Sequence, residues 1–197
     1  MKRKKAIVSI SVLIGLGLSA GRGGQAAGLT GYISKDRIFE LAAAADASVA
    51  SFSPSPTALA TFVALVDPVH LRMFLCTSRT DNLKLAASMG RAVEAAANPA
   101  LTAEFVGVAA DLSEPAALVA ENRVTQLPEI VIFWMGAEVA RMHPESSSPV
   151  EEELASLITL SRTRIAEEML LDNDFFRNVF HSDLTALECT RCHFSPR

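Results

Sequence analysis

Apolar positions recur at three- and four-residue spacing over most of the chain, interrupted by short continuous apolar runs. Residues 35–50 are rich in alanine and place Ile38, Phe39, Leu41 and Ala42 at helical spacing. The stretch Ser51-Phe52-Ser53-Pro54-Ser55-Pro56 stops that helix and starts another, with Ser55 and Pro56 suited to the N-cap and first turn of a helix over 56–66. Asp67-Pro68 ends it, and 70–77 is an apolar run of strand length. An amphipathic helix follows over 80–97, carrying Leu83, Leu85, Ala86, Met89, Val93 and Ala96. A strand over 102–109 and a short helix over 113–122, with Pro115 in its first turn, come next. Two strands, Glu129–Trp134 and 138–142, flank Met135-Gly136-Ala137, which reads as a hairpin turn. Ser148-Pro149-Val150-Glu151 is a capping box that opens a last helix running past Leu160. The order α-α-β-α-β-α-β-β-α predicts an α/β fold with a mixed sheet, parallel across helical crossovers, antiparallel at the terminal hairpin, and with helices on both faces.

Composition narrows the classes. Half of the 197 residues are hydrophobic and a fifth are charged, enough to bury a core. Four of the 18 basic side chains (Lys2, Arg3, Lys4, Lys5) lie in the first five residues, leaving 14 against 22 acidic ones in the remainder. A chain this acidic has no electrostatic footprint for nucleic acid. Three cysteines do not build a disulfide scaffold. The basic start followed by the apolar stretch 6–20 and small residues reads as an export signal, cleaved after Ala20, Ala26 or Ala27. An uncleaved anchor is the alternative, against which Ser9, Ser11, Gly15, Gly17 and Ser19 dilute the apolar core. No cysteine follows that core, which excludes a lipid-modified anchor. The mature chain is therefore expected in the periplasm or otherwise exported, with no stable membrane span after cleavage.

The stretch Val124-Thr125-Gln126-Leu127-Pro128-Glu129-Ile130-Val131-Ile132-Phe133-Trp134-Met135-Gly136-Ala137-Glu138-Val139, with the element order around it, resembles the thioredoxin-like fold. The resemblance covers about residues 55–160 and matches Pro128 to that fold's cis-proline. It implies that the backbone amide before Pro128, at Leu127, is open to a bound extended peptide. An ordinary trans proline opening a strand is the competing reading. The chain departs from the resemblance where a C-x-x-C would begin the helix after the first central strand, a position that lowers a thiol pKa. Here Phe74-Leu75-Cys76-Thr77-Ser78-Arg79-Thr80-Asp81-Asn82-Leu83 puts Arg79 and Asn82 near the two cysteine positions. Cys76 reads as a buried inert thiol, or else as a single-cysteine redox site.

The remaining chemistry lies at Cys189-Thr190-Arg191-Cys192-His193. C-x-x-C-H is the attachment pattern of c-type haem: Cys189 and Cys192 would bond the vinyl groups and His193 would be the proximal iron ligand. Upstream, Asp174-Phe175-Phe176-Arg177-Asn178-Val179-Phe180-His181 brings a histidine near it; similar short modules in multihaem cytochromes make His181 the first choice for the distal ligand, with Met169, His143 and His70 behind it. A Cys189/Cys192 disulfide with no cofactor, or a zinc site from Cys189, Cys192, His181 and His193, are the alternatives. The expected organisation is a signal peptide over 1–27, an N-terminal helical segment over 28–54, a thioredoxin-like domain over 55–160 and a helical tail over 161–197 bearing the motif. The expected role is that of an electron carrier or accessory protein, with enzyme activity left open, working with a periplasmic redox or cytochrome partner. A thiol–disulfide protein using Cys189 and Cys192, and a non-catalytic interaction module, remain beside it.

Overall fold

In this computed structural model residues 28–145 and 149–184 are described, the side chains of the last helix as far as residue 167. The elements are β1 (Gly31–Ile33), α1 (Lys35–Ala45), a 3-10 turn (Ala47–Ser51), α2 (Pro56–Val63), β2 (Val69–Leu75), α3 (Thr80–Ala96), β3 (Leu101–Gly107), α4 (Ala116–Glu121), β4 (Glu129–Trp134), β5 (Ala137–Met142) and α5 (Val150–Leu184). The five strands form one mixed sheet in the order β1-β3-β2-β4-β5. β2 and β3 are parallel and joined through α3, whereas β2/β4 and β4/β5 are antiparallel. This is the mixed, helix-flanked arrangement that the sequence pattern predicts.

Short polar side chains set the helix starts. Ser34 Oγ accepts from the Arg37 N–H at the head of α1, and Ser55 Oγ accepts from the Ala58 N–H at the head of α2. The periodic run 35–50 is not one helix: Asp46 ends α1 in extended geometry and its carboxylate accepts from the Ser48 N–H, which opens the 3-10 turn. Lys84 of α3 reaches the same carboxylate at 2.7 Å.

Strand alternation sorts the two faces. Leu71, Met73 and Leu75 of β2 point with Phe105, Ile130 and Ile132 towards α1, α2, α3 and α5, in a core that includes Ile38, Phe62, Met89, Leu154 and Ile158. Phe74 points the other way, into a smaller core with Val106, Val108, Val124 and Val131 that Leu118 and Val119 of α4 cover. Helices therefore lie on both faces, but the six-residue α4 has one face to itself. Burying a Phe or Ile side chain fully is worth roughly 1.5–3 kcal/mol against exposure, so the four-helix face carries most of the stability.

The sequence pattern gives no strand before α1, yet β1 pairs antiparallel with β3, with Tyr32 opposite Val106. Gly107 makes the close approach there: a Cβ on it would collide with the Leu29 carbonyl oxygen. The β4/β5 connection is a two-residue turn in which Met135 and Gly136 both have positive φ, 51° and 86°, as the primed hairpin turns require. Pro115 stands before α4 as its cap, not inside its first turn, and the Glu114-Pro115 bond is cis.

Candidate functional site

Leu127-Pro128 is cis, as its resemblance implies. It faces the start of α3 across a groove of about 610 Å³ whose lining includes Arg79, Thr80, Asp81, Asn82, Leu85, Leu127, Pro128, Pro144 and Glu145. The two segments that sequence reasoning connected only by resemblance, 79–82 and 127–128, thus line one groove. Leu85, Leu127 and the two prolines form its apolar part, and Asp81 and Glu145 oppose Arg79 in its charged part.

The α3 side is built by the turn that follows β2. The Arg79 N–H donates to the Cys76 carbonyl at 3.0 Å, and the Cys76 N–H donates to Asn82 Oδ1 at 3.0 Å. Asn82 is buried and so spends its side chain holding the turn. Arg79 makes no side-chain cap to α3, and its place before a helix start makes it a charged substitute at the spot where a nucleophilic thiol would gain from the helix dipole. The thiol that does exist nearby is Cys76, 2 % exposed, with Sγ 3.1 Å from Ser78 Oγ. It is outside the groove lining. The Leu29 N–H donates to Thr77 Oγ1 at 2.6 Å, tying the stretch before β1 to the same turn.

The proline side is held by a buried ion pair that sequence reasoning did not single out. Glu129, 1 % exposed and next after Pro128, accepts from Arg141 at 2.6 Å through Oε1 and from the Thr125 N–H at 3.2 Å through Oε2. The same guanidinium donates to the Asn122 carbonyl at 2.7 Å and to both carboxylate oxygens of Glu138. Glu138 holds the Arg141 pKa above its usual value, with Glu129 adding to the effect, and Arg141 in turn pulls the Glu138 carboxyl below the ordinary range. One cation therefore clamps both ends of the loop 122–129 that presents Pro128.

The other sequence-predicted residues fall elsewhere. His70 stands on the α4 face of β2, its Nδ1 2.9 Å from Thr102 Oγ1 and its Nε2 3.2 Å from Glu104 Oε2. Glu104 also accepts from Arg72 Nε at 2.7 Å, and Arg72 reaches Asn122 Oδ1 at 2.8 Å. Both ring nitrogens of His70 are engaged, which argues against it as an iron ligand. His143 is exposed just past β5 and adjoins Pro144 of the groove. His181 and Met169 lie on α5, beyond its described side chains; Cys189, Cys192 and His193 lie outside the described residues. Among the described residues no three His, Cys, Asp or Glu side chains are grouped to hold a metal, and no helix is long and apolar enough to cross a membrane.

No family model matches the chain, and no curated protein matches it. Among solved structures, a mutant thioredoxin from Halobacterium salinarum NRC-1 is similar over 47% of this chain and 73% of its own, with 20% identity and a TM-score of 0.35. The class defined by strand order, parallel crossover and cis-proline is a thioredoxin-like α/β fold, with no dithiol among the described residues that line its groove.

Proposed function

We propose that this is an exported thioredoxin-like scaffold that binds an extended segment in the groove beside Pro128 and carries one c-type haem on its C-terminal tail. Its role is electron transfer, or accessory service to a cytochrome, with a periplasmic redox or cytochrome protein as partner. The observation that carries the binding half is the groove itself: cis-Pro128 opposite Arg79 and Asn82, with Cys76 buried beside the turn instead of exposed in it. Such a wall offers backbone, apolar contact and charge, and no sulfur for exchange.

The haem half rests on the donor set Cys189, Cys192 and His193, with His181 as distal candidate. When bound, the group supplies one-electron redox chemistry; the chain supplies two thiols for attachment and imidazole for the iron. Visible spectroscopy and intact mass of the mature chain, produced with a cytochrome c maturation system and extracted with acid acetone, test it. A Soret band that survives extraction and a mass raised by one haem are expected. A colourless chain lighter by two hydrogens would replace this reading with a Cys189/Cys192 disulfide, and a colourless zinc-loaded chain with a metal site. Binding in the groove is tested by titrating labelled extended peptides; loss of binding on Leu127→Asp, measured where that variant is fully folded, is expected.

A further inference from the structure

The groove lies at one end of the sheet, and α5 starts beside it and runs towards the other end. β5 ends at Met142, paired with Ile130 near Pro128, and the chain then passes Pro144 and Glu145 of the groove wall before α5 starts. Further along, Ser161, Arg164 and Ile165 share a small cleft with Glu138 and Val139, which belong to the hairpin end of β5. By Ile165, then, α5 has crossed the length of the sheet. The dimensions agree: 15 helical steps from Val150 to Ile165 rise about 22 Å, and six strand steps from Pro128 to Trp134 cover about 20 Å. Ile165 is the last described side chain of α5 that packs on the core. The helix continues to Leu184, a further 19 residues or about 28 Å. Leu184 therefore stands about 45 Å from Pro128, allowing for the tilt between helix and strand.

From Leu184 the chain has five residues to Cys189 and eight to Cys192. Fully extended, these span at most about 18 Å and 29 Å. Both fall short of the groove.

We infer that the groove and the C-terminal motif of one chain cannot meet, so that the segment occupying the groove is not the chain's own C-terminal tail and the two engage different contacts. This rests on the groove's being a binding site, as proposed above. The groove selects for an extended apolar segment with a basic residue beside it, because Leu85, Leu127, Pro128 and Pro144 offer apolar contact while Asp81 and Glu145 outnumber Arg79. It follows that Cys189 and Cys192 do not restore the missing dithiol within their own chain. Whatever they carry lies beyond reach of the groove of the same chain.

The test uses the full chain made without haem attachment, so that Cys189 and Cys192 are thiols. Arg79→Cys places a thiol in the groove, and the protein is oxidised at high dilution. Peptide mapping is expected to show no disulfide from residue 79 to 189 or 192 within one chain. Such an intrachain bond, formed while far-ultraviolet circular dichroism stays native, would overturn the inference. If Arg79→Cys does not fold, Glu145→Cys replaces it. A paramagnetic distance measurement between the groove cysteine and Cys192, with Cys189→Ser, adds a second readout: a distribution lying above about 16 Å is expected, and a main population below about 15 Å would overturn it. An apolar peptide with a flanking arginine, titrated into the chain with Arg79 and Glu145 intact, separates the two readings. If it fails to bind while the distance stays long, the groove reading falls and the separation stands.

Discussion

Replacing Arg141 by methionine is the perturbation with the most informative energetics. Methionine keeps the apolar stem of the side chain and removes the guanidinium. In the native chain that group satisfies a carboxylate that is 1 % exposed, a backbone carbonyl at Asn122 and the carboxylate of Glu138. Stripped of it, Glu129 is a buried charge whose remaining donor is the Thr125 N–H. Breaking a buried pair from one side costs about 3–5 kcal/mol. The Arg141 side chain is itself a quarter exposed, so water can relieve part of that penalty, and about 3 kcal/mol is the expected loss. Glu129→Gln keeps the shape and an acceptor for Thr125 at a cost of about 2 kcal/mol. In the double variant neither charge is left stranded, so its loss should fall short of the sum of the single losses by about 2 kcal/mol. Urea unfolding followed by the fluorescence of Trp134, the one tryptophan and 6 % exposed in β4, measures all three. Additive losses, or a loss below about 0.5 kcal/mol for Arg141→Met, would refute the argument that this pair is coupled and buried. Peptide binding in the groove should also weaken in Arg141→Met under conditions where it is fully folded, because the loop 122–129 loses its clamp.

Three further outcomes follow from the same geometry. The Lys84 ammonium and the Ser48 N–H hold the Asp46 carboxyl well below the usual carboxylate range, so the stability it lends is complete above about pH 4–5 and is lost as acid protonates it; Asp46→Asn should lower the melting temperature at pH 7 and flatten its fall on acidification, which calorimetry across pH 2–7 would check. Gly107→Ala forces the Leu29 carbonyl away and should release the stretch 28–33 at a cost of roughly 1–3 kcal/mol, seen as early proteolysis there while β2, β3 and β4 stay protected from hydrogen exchange. In a chain with Cys189→Ser and Cys192→Ser, the Cys76 thiol should react with a water-soluble disulfide reagent only after denaturant is added, and prompt reaction of the native chain would contradict its burial.

What the sequence makes legible is what local chemistry decides. Ser55 with Pro56, Gly136 in the hairpin turn and the apolar runs at 70–77 and Glu129–Trp134 each act within a few residues, and the structure places elements there. Asp46 is the instructive exception among local signals. The alanine-rich run over 35–50 has helical period on both sides of it, but an aspartate that can accept from the N–H two residues on, and meet Lys84 across the α1–α3 contact, gains more by stopping the helix. β1 is illegible for a different reason. Gly31, Tyr32 and Ile33 are too few to show alternation, and they form a strand because β3 offers them an edge, an arrangement that exists only after β3 has paired with β2.

The candidate site divides along the same line. Pro128 and the dithiol-free stretch after β2 can be read from residue types in order along the chain. The clamp on Pro128 cannot, because Glu129 and Arg141 are twelve residues apart and meet through the register that sets Val131 opposite Arg141. The network of Thr102, His70, Glu104 and Arg72 likewise needs His70 opposite Thr102 and Arg72 opposite Glu104 across a parallel pair. Through Asn122, whose side chain meets Arg72 and whose carbonyl meets Arg141, these two polar sets join into one line across the α4 face, ending at the loop before Pro128. A six-residue α4 leaves enough of that face open for charged side chains to lie on it, whereas the opposite face, under four helices, is apolar throughout its centre. The groove thus owes its shape to the polar side of the sheet, and the sheet owes its stability to the other.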